Sequence, residues 1–335
     1  MELTLTFYSD ILFTLGVVKI NIKALVAGFI LDSIVGDPQG WFHPIRLIGK
    51  MISYVENRLR EKCRTSSDEK KAGVVLWITV VFTSFAVPYV ILLIAAKISF
   101  KVAIVIESIM CCYILAAKSL KDESMKVYTS LKNSNLQEAR KNLSYIVGRD
   151  VEGLNESSVA RAAVETVAEN TSDGVIAPML YIMLGGAPLG FMYKAVNTLD
   201  SMVGYKNEKY INIGRFSAIA DDAANYVPSR LAAYFMIASS WTLKMNYKNA
   251  YKIYKRDRYN HKSPNSAHTE SVCAGALNIM LGGDSHYGGK LVSKPTIGDN
   301  TREVETEDII RANKLMYTTS LLFLLTGTLI EFILW

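Results

Sequence analysis

Few motifs of common enzyme classes occur in this chain. The four cysteines, Cys63, Cys111, Cys112 and Cys273, form neither Cys-x-x-Cys nor any spacing typical of a disulfide framework or a cysteine zinc site. Neither Gly282-Gly283-Asp284 nor Gly288-Gly289-Lys290 fits a phosphate-binding P-loop, and no nucleophile elbow, His-Glu-x-x-His or dinucleotide-binding fingerprint occurs. No linker rich in Pro, Gly or Ser divides the chain, so residues 1–335 are predicted to form one domain.

The composition favours a membrane protein. The chain has 335 residues, half of them hydrophobic, a mean hydropathy of +0.18 and a formal net charge of +6. That hydropathy is high for a soluble enzyme, while 20% charged residues is too many for a bundle of bare spans. The basic residues flank apolar runs, which positive-inside topology explains more simply than nucleic-acid binding. We therefore predict no nucleic-acid partner.

Three apolar runs predict transmembrane helices: 72–96, 102–117 and 315–335. The first and the third are near the length that crosses a hydrocarbon core, and the second is shorter but has lysines at both ends that can reach the interface. The run 22–35 is too short to cross unless residues from about 11 extend it. The N-terminus lacks a basic region and is not a convincing cleavable signal. The predicted fold class is all-α, a polytopic integral membrane protein with broken or re-entrant helices and cytoplasmic helical loops.

Three basic segments define the predicted orientation. They are 46–71, 118–141 and 244–262, and the positive-inside bias assigns them to the cytoplasm. An even number of crossings must then lie between the second and the third. The candidates Gly174–Tyr193 and Pro228–Leu243 either both cross or both do not. Because the first contains Pro178, Gly185-Gly186 and Pro188, we favour broken, partly inserted helices that open a cavity at the inner face of the cell membrane.

The first polar cluster follows Asn155, a predicted N-cap of a helix to about Asn170. Arg161, Glu165 and Glu169 recur at helical spacing, which is also typical of a solvated face with an ion pair. The polar turn Asn170–Gly174 comes next and enters an apolar segment. Since polar groups against a bilayer are costly unless they are paired, hydrated or functional, the cluster is a candidate site.

Two further clusters contain acids and amides. Lys194, Asn197 and Asp200 share helical spacing, and Asn225 follows Asp221 and Asp222 by one helical turn. Adjacent carboxylates are often found around a divalent cation, although Asp and Asn are equally common as helix caps and in loops. Arg46, after His43-Pro44, is a candidate for binding an anion because its guanidinium matches carboxylate or phosphate.

At these residues the sequence resembles the CobD/CbiB family, the adenosylcobinamide-phosphate synthases. The resemblance extends over residues 24–325 and leaves 1–22 as an N-terminal extension. Ser266–Glu270 departs from the aromatic-Pro-Glu form of the family, in which only Glu270 aligns. The matching motifs are Gly36–Pro38 with His43–Gly49, Glu165–Gly174, Lys194–Tyr205, Asp221–Pro228, Ser263–Ser266 and Gly282-Gly283.

The resemblance implies an enzyme of the cell membrane whose site faces the cytoplasm. Such an enzyme uses ATP and Mg²⁺ to join the propionate carboxylate of adenosylcobyric acid to (R)-1-amino-2-propanol or its O-phosphate. The alternative is a membrane protein that binds or transports a corrinoid without ligase activity, since broken helices also suit transport. A homo-oligomer, or association with other enzymes of the pathway, is compatible with either activity.

The residues and the resemblance together suggest roles. Forming an amide from a carboxylate requires one oxygen to become a leaving group, which calls for carboxylates, Mg²⁺ and cationic groups around a transferring phosphate. The expected catalytic residues are Glu165, Glu169, Asp173, Lys194 and Asp200. The expected metal ligands are Asp173, Asp221 and Asp222, and the expected substrate- and ATP-binding residues are Arg46, Asn170, Asn197, Lys206, Arg215 and Asn225.

Overall fold

Helices make up most of the structure, a computed structural model that describes residues 22–36 and 43–334. The helices are α1 (22–35), α2 (Pro44–Arg60), α3 (Ser66–Ile98), α4 (Phe100–Ile114), α5 (Ala117–Lys132), α6 (Leu136–Ser144), α7 (Glu156–Asn170), α8 (Ala177–Val203), α9 (Arg215–Ala224), α10 (Tyr226–Thr242), α11 (Tyr247–Asp257), α12 (Ser266–Leu277) and α13 (Asp308–Leu334). A π-helical turn, Thr171–Ile176, joins α7 to α8. Residues before 22, including the extension from about 11 considered for the run 22–35, lie outside the described residues.

Four helical stretches in the described part of the chain are long and apolar enough to cross a membrane: Ser66–Ile98, Phe100–Lys132, Glu156–Val203 and Asp308–Ile333. They include the three predicted runs, apart from the last two residues of the third, 334 and 335. The capping box of Thr65 and Asp68 begins α3 well before its apolar part. The protein is therefore an α-helical membrane protein, as predicted.

The predicted break in the third stretch, Glu156–Val203, is confirmed at its glycines. Gly185 and Gly186 leave helical geometry, and Gly186 has a φ of 70°, which a residue with a Cβ rarely adopts. Pro88, by contrast, lies inside α3 without ending it. Proline alone is tolerated there, whereas two adjacent glycines interrupt α8. Whether the broken segment crosses the membrane or re-enters it stays a prediction.

The described chain forms two compact units, each built from separate stretches. The first contains residues up to Ala116, Pro178–Ala224 and those from Thr326 onward, and the second contains Ala117–Ala177 and Asn225–Leu325. The prediction of one domain stays a prediction. In the first unit α3 packs against α2, α4 and α9. Gly73 allows this approach, since a Cβ there would lie 2.1 Å from the backbone oxygen of Ile213.

The second unit is centred on α12. Every residue of this helix is buried, and α7, α10 and α11 pack against it. Four short strands, β1 (Met280–Gly282), β2 (Ser285–Tyr287), β3 (Lys290–Val292) and β4 (Thr296–Gly298), form the antiparallel pairs β1–β4 and β2–β3. The predicted fold was all-α, so these two antiparallel strand pairs are an addition to it.

Candidate functional site

A polar cavity of about 280 Å³ lies in the second unit. Its lining includes three carboxylates, Glu165, Glu169 and Glu270. Nitrogen-bearing side chains lie around the same space, contributed by Arg149, Asn170, His261 and Lys294. Of the predicted site residues, Glu165, Glu169 and Asn170 are therefore brought together.

The carboxylate of Glu165 is held on both oxygens. One oxygen forms an ion pair with Arg149, and the other accepts a hydrogen bond from the backbone N–H of Gly282 at 2.7 Å. Glu165 is only 5% exposed, so the α7 stripe is not a solvated face. Burial opposes the charge of Arg149, but Glu165 outweighs it and the pKa of the guanidinium is raised.

A neighbouring hairpin fixes the loop that carries Arg149. The turn between β2 and β3 contains Gly288 and Gly289, both with positive φ, as a two-residue hairpin turn requires. The carboxylate of Asp150 accepts hydrogen bonds from both backbone N–H groups, at 3.0 and 2.7 Å. These bonds, Gly289 first, lower the pKa of Asp150. Asp150 thus positions the adjacent Arg149.

Glu169 lies one helical turn after Glu165 on α7. One of its oxygens accepts a hydrogen bond from the hydroxyl of Ser266 at 2.8 Å, at the first residue of α12. The side chain is part-exposed at the cavity, unlike that of Glu165. Glu169 is therefore held in position while it remains accessible to a ligand.

Glu270 lies one turn into α12 and is 6% exposed. Within the described residues its carboxyl group has no hydrogen-bond partner, although it borders the cavity. Burial raises the pKa of Glu270 well above its ordinary value, and the negative charges of Glu169 and Glu165 add to the shift. Glu270 therefore retains a proton to a higher pH than an exposed glutamate.

Two histidines near the site differ in position. His261 borders the cavity, its Nδ1 accepts a hydrogen bond from the backbone N–H of Ser263 at 3.0 Å, and burial lowers the pKa of its ring. His268 lies outside the cavity lining, with Nδ1 3.3 Å from the hydroxyl of Tyr254. Burial, with Arg230 and Arg258, lowers the pKa of His268 to about 4. It is a core residue, which agrees with its departure from the family pattern.

Two other predicted residues belong to the second unit but not to the cavity lining. Asp173 lies in the π-helical turn just after Asn170, and Asn225 is fully buried immediately before α10. π-Helical turns are frequent at functional sites. A role for Asp173 at this turn stays a prediction.

In the first unit, predicted polar residues of α8 and α9 are in direct contact. The amide of Asn197 donates to the carboxylate of Asp221 at 3.4 Å, and Asp221 is 9% exposed. Lys194 and Asp200 lie on the same helix as Asn197, and Asp222 follows Asp221 on α9. Among the predicted site residues, the cations Arg46, Lys206 and Arg215 are exposed. Because these residues and the cavity belong to different units, their convergence stays a prediction.

The described residues contain no cluster of three or more His, Cys, Asp or Glu side chains arranged to hold a metal ion. The Asp221–Asp222 pair supplies two carboxylates on one helix, with the amide of Asn197 in hydrogen-bond contact. Mg²⁺ is commonly held by one or two carboxylates together with phosphates and water. The donor set of this pair therefore fits Mg²⁺.

The lining residues that were not predicted as site residues include Arg149, His261, Glu270 and Lys294. Helical spacing indicated Arg161 as the neighbour of Glu165, whereas Arg149 forms the ion pair. Only Glu270 had a signal in the sequence, its alignment with the family glutamate. Lys294 lies in a loop between two three-residue strands, where no pattern marks it.

The fold defines an α-helical membrane protein, and its second unit contains a polar cavity lined by glutamates and basic side chains. The family model described as "CobD/Cbib protein" matches residues 25–316. A protein from Clostridium perfringens named "Cobalamin biosynthesis protein CobD" is 50% identical over 310 residues, 92% of this chain and 98% of that protein. The "Cobalamin biosynthesis protein CbiB" of Salmonella typhimurium is 44% identical over 304 residues, 91% and 95% of the two chains.

No solved structure gives a significant match to the chain. The family match covers most of its length, and relatives at 44–50% identity cover about nine tenths of it. The chain belongs to the CobD/CbiB family and is a protein of cobalamin biosynthesis.

Proposed function

We propose that this protein is an ATP-dependent amide ligase that joins the propionate carboxylate of adenosylcobyric acid to 1-amino-2-propanol or its O-phosphate. The observation that carries the proposal is that three glutamates and the side chains of Arg149, His261 and Lys294 line the same cavity. Amide formation needs a group that takes a proton from the amine and cations that stabilise negative charge on the carboxylate. All of these groups border one space.

The size of the cavity limits what enters it. Ligand pockets for drug-sized molecules are roughly 300–1,000 Å³. A cavity of about 280 Å³ suits the reacting ends of the substrates rather than a corrin ring. In this proposal the propionate arm and the amine meet in the cavity. Lys294, whose ammonium donates to the hydroxyl of Tyr287 at 2.6 Å, is held where it can neutralise the carboxylate.

ATP would supply the phosphoryl group that turns a carboxylate oxygen into a leaving group, with Mg²⁺ neutralising the charge of the transferring phosphate. Asp221 and Asp222 are the residues proposed to hold Mg²⁺. Lys194, on the same helix as Asn197, is proposed to bind phosphate. Arg46, Lys206 and Arg215 are proposed as further anion-binding residues, since all three are exposed.

An assay with purified protein in detergent tests the activity. We expect adenosylcobyric acid, the amine donor, ATP and Mg²⁺ to give a corrinoid whose mass has increased by the amine donor minus water. Omission of ATP should abolish this product. Corrinoid binding without any product would instead support the alternative, a corrinoid carrier. Mass spectrometry with either amine donor also identifies which donor the protein uses.

We propose that the protein lies in the cell membrane with its site facing the cytoplasm, because its basic segments flank the spans. Cys63, between Lys62 and Arg64, reports this orientation, and its thiol is only partly exposed. An impermeant maleimide should leave Cys63 unlabelled in intact cells and label it after permeabilisation. The Cys63→Ser variant is the control for the remaining cysteines. Labelling in intact cells would contradict the proposed orientation.

A further inference from the structure

The cavity carries one negative charge more than its cations balance. Arg149 neutralises Glu165 through their ion pair. Two glutamates, Glu169 and Glu270, then remain against Lys294. His261 adds no charge near neutral pH, because burial lowers the pKa of its ring.

Buried charge without a counter-ion is costly, so the group that bears it either takes a proton or pairs with a cation. Glu270 is the carboxyl group that takes a proton or pairs with a cation here. Glu270 is more buried than Glu169 or Lys294. It has no hydrogen-bond partner among the described residues, whereas Glu169 accepts a hydrogen bond from Ser266. Without a ligand, a proton on Glu270 restores neutrality.

We propose that this cavity is the subsite for the primary ammonium group of the amine substrate, and that Glu270 is the base that deprotonates it. The inference rests on the proposed ligase function. The ammonium replaces the proton of Glu270 as the missing positive charge and lies between the carboxylates of Glu169 and Glu270. The cavity volume of about 280 Å³ accommodates a small amino alcohol.

The chemical step then balances. The ammonium loses one proton to the Glu270 carboxylate, so that an N–H bond breaks and an O–H bond forms. The freed nitrogen electron pair forms the C–N bond to the carboxyl carbon activated with ATP. The C–O bond to phosphate breaks, inorganic phosphate leaves with its electron pair, and it takes up the second proton that the nitrogen loses as the neutral amide forms. The proton stays on Glu270 when the neutral amide leaves, which restores the neutral empty cavity, and it is released to water when the next ammonium binds.

The test is proton release on binding of the amine, with no turnover required. Titration calorimetry of the full chain in detergent, without ATP, is performed at pH 7 in two buffers of different ionisation enthalpy. Binding should release up to about one proton per amine, because it lowers the pKa of a carboxyl group that was protonated. Separate titrations with 1-amino-2-propanol and its O-phosphate identify the donor, and propane-1,2-diol is the control without an amine.

Two variants separate the role of Glu270 from a structural one. Glu270→Gln mimics the protonated acid and should melt like the wild type at pH 7, but it should bind the amine without releasing a proton and lose turnover. Glu270→Asp should restore part of the proton release. Glu307 is an exposed glutamate of the same unit, so Glu307→Gln should leave proton release and turnover unchanged.

Three results would overturn the subsite. Glu270→Gln could release as many protons as the wild type, the diol could bind as well as the amine, or Mg²⁺ alone could cause the same proton release and compete with the amine. Failure of the ligase function is distinguishable from these. If the amine binds with proton release but no amide forms, the subsite stands and the proposed function fails. If an amide forms at the wild-type rate in Glu270→Gln, the proposed function stands and the role of Glu270 fails.

Discussion

Replacement of Arg149 by alanine is expected to destabilise the protein by about 3–5 kcal/mol, the typical cost of breaking a buried ion pair by removing one partner. The pair is well shielded, with side-chain exposures of 17% for Arg149 and 7% for Glu165. Without the guanidinium, Glu165 is left without its counter-ion, and among the described residues that line the cavity Lys294 is the one remaining cation for the three glutamates. Reversible unfolding in mixed micelles measures the free energy of unfolding.

An exposed ion pair in the same unit supplies the control. Lys132 and Glu307 lie 2.8 Å apart with side-chain exposures of 59% and 42%. Lys132→Ala should therefore cost no more than about 1 kcal/mol. The double variant Arg149→Met/Glu165→Gln should recover much of the stability lost in Arg149→Ala, because no buried charge is left alone. Equal effects of Arg149→Ala and Lys132→Ala would contradict the assigned burial of the pair.

The second large effect is expected for Glu169→Gln. Glutamine keeps the size of the side chain and can still accept the Ser266 hydroxyl, but it removes a negative charge from the cavity. We expect turnover to fall by about 100-fold, as when one electrostatic contact to a reacting group is lost. The free energy of unfolding should change little, since the remaining charges, Glu270 and Lys294, then balance.

Glu138→Gln is the matched control for Glu169→Gln. Glu138 lies on α6 in the same unit, with a side-chain exposure of 47% and a distance of 4.0 Å to Lys141. Its substitution should leave product formation unchanged. Steady-state assays that vary the amine concentration separate weaker amine binding from slower chemistry. Wild-type turnover of Glu169→Gln would exclude Glu169 from the site.

Features encoded within one helix were predictable from the sequence. The side chain of Asn155 caps α7 by accepting from the backbone N–H of Ser158 at 2.9 Å, as its position indicated. The glycines at 185–186 interrupt α8 because their backbones readily leave helical geometry. Helical spacing aligned Glu165 with Glu169, and both border the same cavity.

Features that depend on distant contacts were not predictable. Arg161 stands four residues before Glu165, yet the ion pair comes from Arg149, in a loop fixed by the β2–β3 turn. Three-residue strands are too short for an alternating pattern to indicate them. The burial of Glu270 on α12, which packs against α7, likewise depends on contacts that a single sequence does not reveal.

The central claim is that ATP activates the propionate carboxylate by phosphorylation. The most direct test follows one oxygen of that carboxylate. Adenosylcobyric acid labelled with ¹⁸O in the reacting propionate is converted with ATP, Mg²⁺ and the amine donor, and the released phosphate is analysed by mass spectrometry. Activation by phosphorylation predicts one ¹⁸O atom in inorganic phosphate for each amide formed. Unlabelled phosphate, or consumption of corrinoid and amine without any ATP cleavage, would contradict the proposed function.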